Sequence, residues 1–172
     1  MNTHKLALIA VLTASTIVIA VLESFIPSIG IPGVKLGLAN IMILVTLYEL
    51  GVVEAISINL SRVLLVGIIR GTILTMGFFM SLVGAVFSLA IMILFYLLIK
   101  KFSIIGVSVI GSIFHVFGQI LVAVVYLGTS AILYYLPVIG ISAIITGVLV
   151  GITARLIINT GVIKKQRQKY NF

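Results

Sequence analysis

An all-α integral membrane protein is the fold class this sequence predicts, built as a six-transmembrane-helix bundle with a re-entrant-like first external loop. Three observations carry that expectation. Hydrophobic residues make up 62% of the 172-residue chain and charged residues only 8%, where a soluble domain has about 25% charged. The mean hydropathy is +1.42. Long apolar runs alternate with short breaks containing Gly, Pro, Ser, Thr and basic residues, and the basic residues gather in alternate breaks. That asymmetry is the mark of a positive-inside membrane topology, so the net charge of +8 does not indicate a nucleic-acid partner.

One transmembrane domain accounts for residues 1–172. The first helix is expected over about 6–26, after Lys5. Ala10 and Ala14, with Ala7 on the same face, form a small-residue stripe that lets a second helix approach closely. Between the first two helices lies Pro32-Gly33-Val34-Lys35-Leu36-Gly37-Leu38-Ala39-Asn40. Its proline stops a helix from running through, and its glycines let backbone come close to a ligand. This segment is expected to dip back and present Lys35 and Asn40.

The second helix, at about 36–50, spans only about 20 Å, short of the roughly 30 Å hydrocarbon core. A short helix beside a Gly/Pro interruption points to a binding site in a membrane protein. Four further helices follow at about 52–69, 72–99, 103–127 and 131–159, and a basic cytoplasmic tail occupies 160–172.

Six helices place both termini on one side. That side collects Lys5, Lys100, Lys101, Lys164, Lys165, Arg167 and Lys169, against Lys35 and Arg70 opposite. Both termini are therefore expected to be cytoplasmic in a cell membrane, with the basic tail meeting anionic lipid headgroups.

Counting along these helices assigns a depth to each polar residue. Glu23 falls at the outer end of the first helix and Asn40 in the outer part of the second. Asn59 and Arg62, three apart, share a face near the middle of the third, and Arg70 ends it. His115 and Gln119 run outward from mid-depth, while Tyr134 and Tyr135 begin the sixth helix at the outer surface. A mid-membrane arginine costs about 2.5–3.5 kcal/mol on insertion scales, so Arg62 should face inward and have a partner. It either locks the bundle through carbonyls or Glu23, or meets an anionic ligand together with Lys35 and Arg70. His115 and Gln119 suit an interhelical hydrogen-bond pair or ligand contact. The tyrosines suit an aromatic belt or a pocket mouth.

Several chemistries are excluded. The chain has no cysteine, and its three acids are Glu23, Glu49 and Glu54, so no aspartate exists for a magnesium site or a triad. No phosphate-binding loop for ATP occurs. A lone histidine without acidic neighbours is a poor metal site. The pattern is that of a non-enzyme: a membrane component that binds a small molecule.

The Pro32–Asn40 segment resembles the signature of the Gx transporter family. So do Arg62-Val63-Leu64-Leu65, His115-Val116-Phe117-Gly118-Gln119 and Tyr134-Tyr135-Leu136-Pro137. That family is also labelled heptaprenyl diphosphate synthase component I, and it looks like the substrate-binding S components of energy-coupling factor (ECF) transporters. Its members are expected to carry Asn directly after the histidine, where this chain has Val116. The resemblance implies a capture subunit for a small vitamin- or cofactor-like ligand, working with an ECF-type coupling subunit and its ATPases. It further implies that Ala10 and Ala14 dock the coupling subunit and that Lys35 belongs to a lid. The alternative is a non-catalytic accessory of isoprenoid, quinone or flavin-linked electron-transfer metabolism. Polyprenyl diphosphate synthesis itself needs paired Asp-rich motifs, which are absent.

Overall fold

The structure is a computed structural model that describes residues 3–25, 37–99 and 102–170. Lys35, Lys100, Lys101 and the Pro32–Leu36 part of the first loop lie outside the described residues. The described helices are α1 (Thr3–Glu23), α2 (Asn40–Glu49), α3 (Val52–Ile69), α4 (Met76–Leu98), α5 (Ile104–Leu127), α6 (Leu136–Asn159) and α7 (Val162–Tyr170). A 3-10 helix, Ser130–Tyr135, leads into α6. There is no strand among the described residues.

This is a helical membrane protein, but its described residues do not contain six spans. Five segments are long and apolar enough to cross a membrane, and α2 is not among them. At 10 residues it is about 15 Å long, half the hydrocarbon thickness. It begins at Asn40 rather than near 36 because Gly37 takes φ +79°, off the helical path. The fourth helix likewise starts at Met76, not at 72. Thr75 is extended, and its hydroxyl accepts from the Phe78 amide at 3.3 Å, an N-cap that fixes the start. The expected sixth helix divides into the 3-10 turn and α6. The basic tail is no plain extension, since it folds as α7.

Two long-range contacts orient the bundle. Lys5, in the first turn of α1, forms an ion pair with Glu54, in the first turn of α3. Arg167 of α7 donates to the backbone carbonyl of Glu49, the last residue of α2, at 3.3 Å. The starts of α1 and α3, the end of α2 and all of α7 therefore lie at one end of the bundle, here the terminal face. Gly51 turns the chain between α2 and α3 at φ +117°, a conformation that side chains other than glycine resist.

α4 and α5 share the most extensive interface, followed by α5 and α6, while α2 sits among α1, α3 and α6. Glycines set how close these helices come. A methyl on Gly147 or Gly151 of α6 would stand 2.7 Å from the Cα of Val109 or Ile105 on α5. A large apolar cluster near the terminal face joins Leu12, Ile43, Leu44, Leu47, Ile58, Met92, Val107 and Ile163. Two smaller clusters, one around Val116 and Ile139 and one around Val63 and Phe78, fill the far half. Elsewhere, leucines, isoleucines and valines point outward from α1, α3 and α6, as lipid-facing positions do.

No residue of α2 is exposed. Both its ends are held by charges of the sign that the helix dipole favours. The Glu23 carboxylate accepts from the amides of Gly37 and, at 3.4 Å, Ala39, while Arg167 holds the far carbonyl.

Candidate functional site

Between the large cluster and the two smaller ones runs a seam of buried polar side chains. Asn59 and Arg62 lie one turn apart on α3, so both face the same neighbours. The Arg62 guanidinium, only 7% exposed, donates through Nη2 to the Asn59 carbonyl oxygen at 2.9 Å and through Nη1 to that of Asn40 at 3.3 Å. Asn59 turns its own amide group onto the backbone carbonyl of Ala85 in α4, at 3.0 Å. One arginine and two asparagines thus tie the first turn of α2 to α3 and α4.

The seam continues through the backbone of α4. Beside Ala85 is Gly84, where an added methyl would lie 2.8 Å from the His115 carbonyl and 3.0 Å from Cγ of Gln119. Only glycine lets α5 bring His115 and Gln119 this close. Gln119 is fully buried, and its amide nitrogen lies 3.2 Å from Nε2 of His115. The amide donates that bond when the imidazole proton is on Nδ1. This bond runs along α5, between successive turns of one helix. The Gln119 carbonyl oxygen is a buried acceptor with no hydrogen bond among the described residues.

Charge is distributed unevenly here. Arg62 forms both of its described hydrogen bonds with neutral amides, and no described salt bridge involves it. Direct pairing with Glu23, one of the alternatives the sequence leaves open, is not among the described contacts. The Glu23 carboxylate is bonded to the Gly37 and Ala39 amides and acts on Arg62 through its field. A guanidinium has five N–H donors, of which the described bonds use two. The cluster can therefore hold an anion beside a fixed cation in a largely dry setting.

The other sequence candidates fall elsewhere. Arg70 ends α3 eight residues beyond Arg62, about 12 Å along the axis, and is exposed. Tyr134 and Tyr135 are 87% and 55% exposed in the 3-10 turn. Neither tyrosine nor Arg70 joins the Arg62 cluster through a described contact. Lys35 lies outside the described residues. Ala10 and Ala14 are exposed on α1. No group of three metal-ligating side chains comes together among the described residues.

Sequence reasoning left Asn59 and Glu23 out of the site, although the three-residue spacing of Asn59 from Arg62 signalled the first. Nothing in the sequence signalled Gly84 or the Ala85 carbonyl.

Comparison with known proteins gives one match. The family model described as heptaprenyl diphosphate synthase component I aligns with residues 12–157. No curated protein and no solved structure matches the chain. The aligned residues hold the whole polar seam from Glu23 to Gln119, and on that extent of match the chain belongs to the heptaprenyl diphosphate synthase component I family, also called the Gx transporter family.

Proposed function

We propose that this chain is a non-catalytic, membrane-embedded binding subunit that captures a small anionic ligand at the Arg62 cluster. The observation that carries the reading is the buried Arg62 guanidinium held by the neutral amides of Asn40 and Asn59. A buried cation without a direct counter-ion is costly, and an anion placed beside it recovers much of that cost. Asn40 opens α2, whose N-terminal amides favour negative charge, and Glu23 holds that place until a ligand carboxylate or phosphate competes for it. His115 and Gln119 orient the ligand through their amide and ring groups, and Lys35 closes over it from the first loop. Arg70, Tyr134 and Tyr135 form the rim at the far end. In this reading the termini are cytoplasmic, the ligand enters from outside, and the protein resides in the cell membrane.

The family description names one component of a larger assembly, and the exposed stripe of Ala10 and Ala14 suits a partner helix. By resemblance that partner is an ECF-type coupling subunit with its ATPases. Replacing both alanines with leucine is expected to reduce recovery of the partner on co-purification, while the protein itself stays monodisperse. Unchanged recovery would leave the stripe facing lipid. Co-purification of a soluble prenyl synthase instead would favour the accessory role that the family's name suggests.

The central test begins with native mass spectrometry of the purified protein to identify a bound anion. A charge-assisted hydrogen bond contributes roughly 1.5–3 kcal/mol, about ten- to hundredfold in affinity. Arg62→Gln is expected to weaken binding of that anion by this factor, read by calorimetry on folded protein. Equal affinity in Arg62→Gln would assign the arginine to the scaffold alone.

A further inference from the structure

We propose that the exposed lysine face of α7 is a docking surface for anionic phospholipid headgroups. The helix begins three residues after α6 ends, following a turn in which Gly161 takes φ +64°. That turn folds α7 back against the terminal face instead of letting it project. Ile163 is buried in the large apolar cluster, and Arg167, four residues on, is bonded to the Glu49 carbonyl. Residues four apart share a helix face, so this face is the one turned to the bundle. Lys164 and Lys165 are exposed on the remaining arc. Arg155 is exposed on α6, one turn before its end, where a long side chain snorkels toward headgroups.

Charge at this face is one-sided. α7 holds no acid, and the two glutamates nearby are Glu49 and Glu54, the second paired with Lys5. Nine residues make a helix of about 13 Å, and it starts where a membrane-length helix stops. Every lysine on it therefore lies within about a Debye length, 8–10 Å, of the headgroup layer. A protein partner would need about 800 Å² of contact on its side, more than one short lysine face offers. A lipid headgroup needs only the charges.

The test uses the full chain, reconstituted in phosphatidylcholine bilayers that contain a minor fraction of phosphatidylglycerol. Association of spin-labelled phosphatidylglycerol is compared with that of spin-labelled phosphatidylcholine. A surface cation contributes roughly fivefold near an anionic bilayer, so the original chain should prefer the anionic lipid at least about fivefold. The variant Lys164→Gln/Lys165→Gln should lose most of that preference, and raised salt should do the same to the original chain. Arg167→Gln, which removes the tie to Glu49 and leaves the lysines, should keep most of it. A preference that survives the double substitution, or that salt does not change, overturns the proposal. So does an original chain without any preference, which would turn the search toward an acidic protein.

Discussion

Gly147→Ala combined with Gly151→Ala is expected to lower stability by about 2–4 kcal/mol. Each new methyl would meet a backbone Cα of α5 at 2.7 Å, and backbone cannot rotate out of the way. The two helices must separate, and overpacking of this kind costs about 1–3 kcal/mol per site. Backbone collisions put both sites at the top of that range. Alanine returns up to about 1 kcal/mol of helix propensity at each, which leaves the stated net loss. Gly140 supplies the internal control. It lies on the same helix, but an added methyl meets nothing within 4 Å. Gly140→Ala should therefore leave stability unchanged or raise it. Unfolding in mixed detergent micelles, followed by circular dichroism, separates the two. A double variant as stable as Gly140→Ala would show that α5 and α6 do not touch where the glycines are.

The second large effect is expected at Asn59. Its side chain is both acceptor for Arg62 and donor to the Ala85 carbonyl, and it is nearly inaccessible at 2% exposure. Alanine there removes both bonds and leaves an arginine N–H facing apolar surroundings. A stranded buried donor costs about 1–3 kcal/mol. The Ala85 carbonyl still has its own helical partner, so the total should be about 2–3 kcal/mol. Asn59→Asp discriminates between packing and hydrogen bonding. It keeps the acceptor and adds a charge beside Arg62, but it turns a carboxylate oxygen instead of an amide group toward the Ala85 carbonyl, so it should recover only part of the loss. The same unfolding assay reads all three proteins. If Asn59→Ala unfolds with the original chain, the seam does not hold the three helices together.

How much of this was legible in the sequence depends on direction. Depth along a helix follows from counting residues, because each one adds about 1.5 Å. Counting therefore places Asn40, Arg62, His115 and Gln119 at about one level. The azimuth of a side chain depends on which helices come to lie beside its own, and that is tertiary information. Arg70, Tyr134 and Tyr135 lie in the half where counting puts them, yet they point outward. The bond between His115 and Gln119 is implicit in their spacing of four on one helix.

The helix boundaries that differ from those hydropathy predicts share a cause. Gly37 and Thr75 stop helices that hydropathy alone would extend, since an apolar scale is blind to a positive φ or a capping hydroxyl. α7 was hidden for the opposite reason. Its residues are polar and basic, with Ile163 as the apolar anchor, and its tertiary tie reaches back 118 positions to Glu49.

The enclosure of α2 also sets an order of biogenesis. This helix is synthesised early, but α6, which covers its flank, begins 87 residues after its end, and Arg167, which holds its last turn, follows 118 residues after Glu49. At 10 residues it is too short to cross the hydrocarbon core on its own, and the tight turn at Gly51 joins it directly to α3. Until the end of the chain is made, its final carbonyls have no partner from α7 and its α6-facing side lies open. A nascent chain halted before α6 therefore presents an unfilled groove and an unsealed helix end.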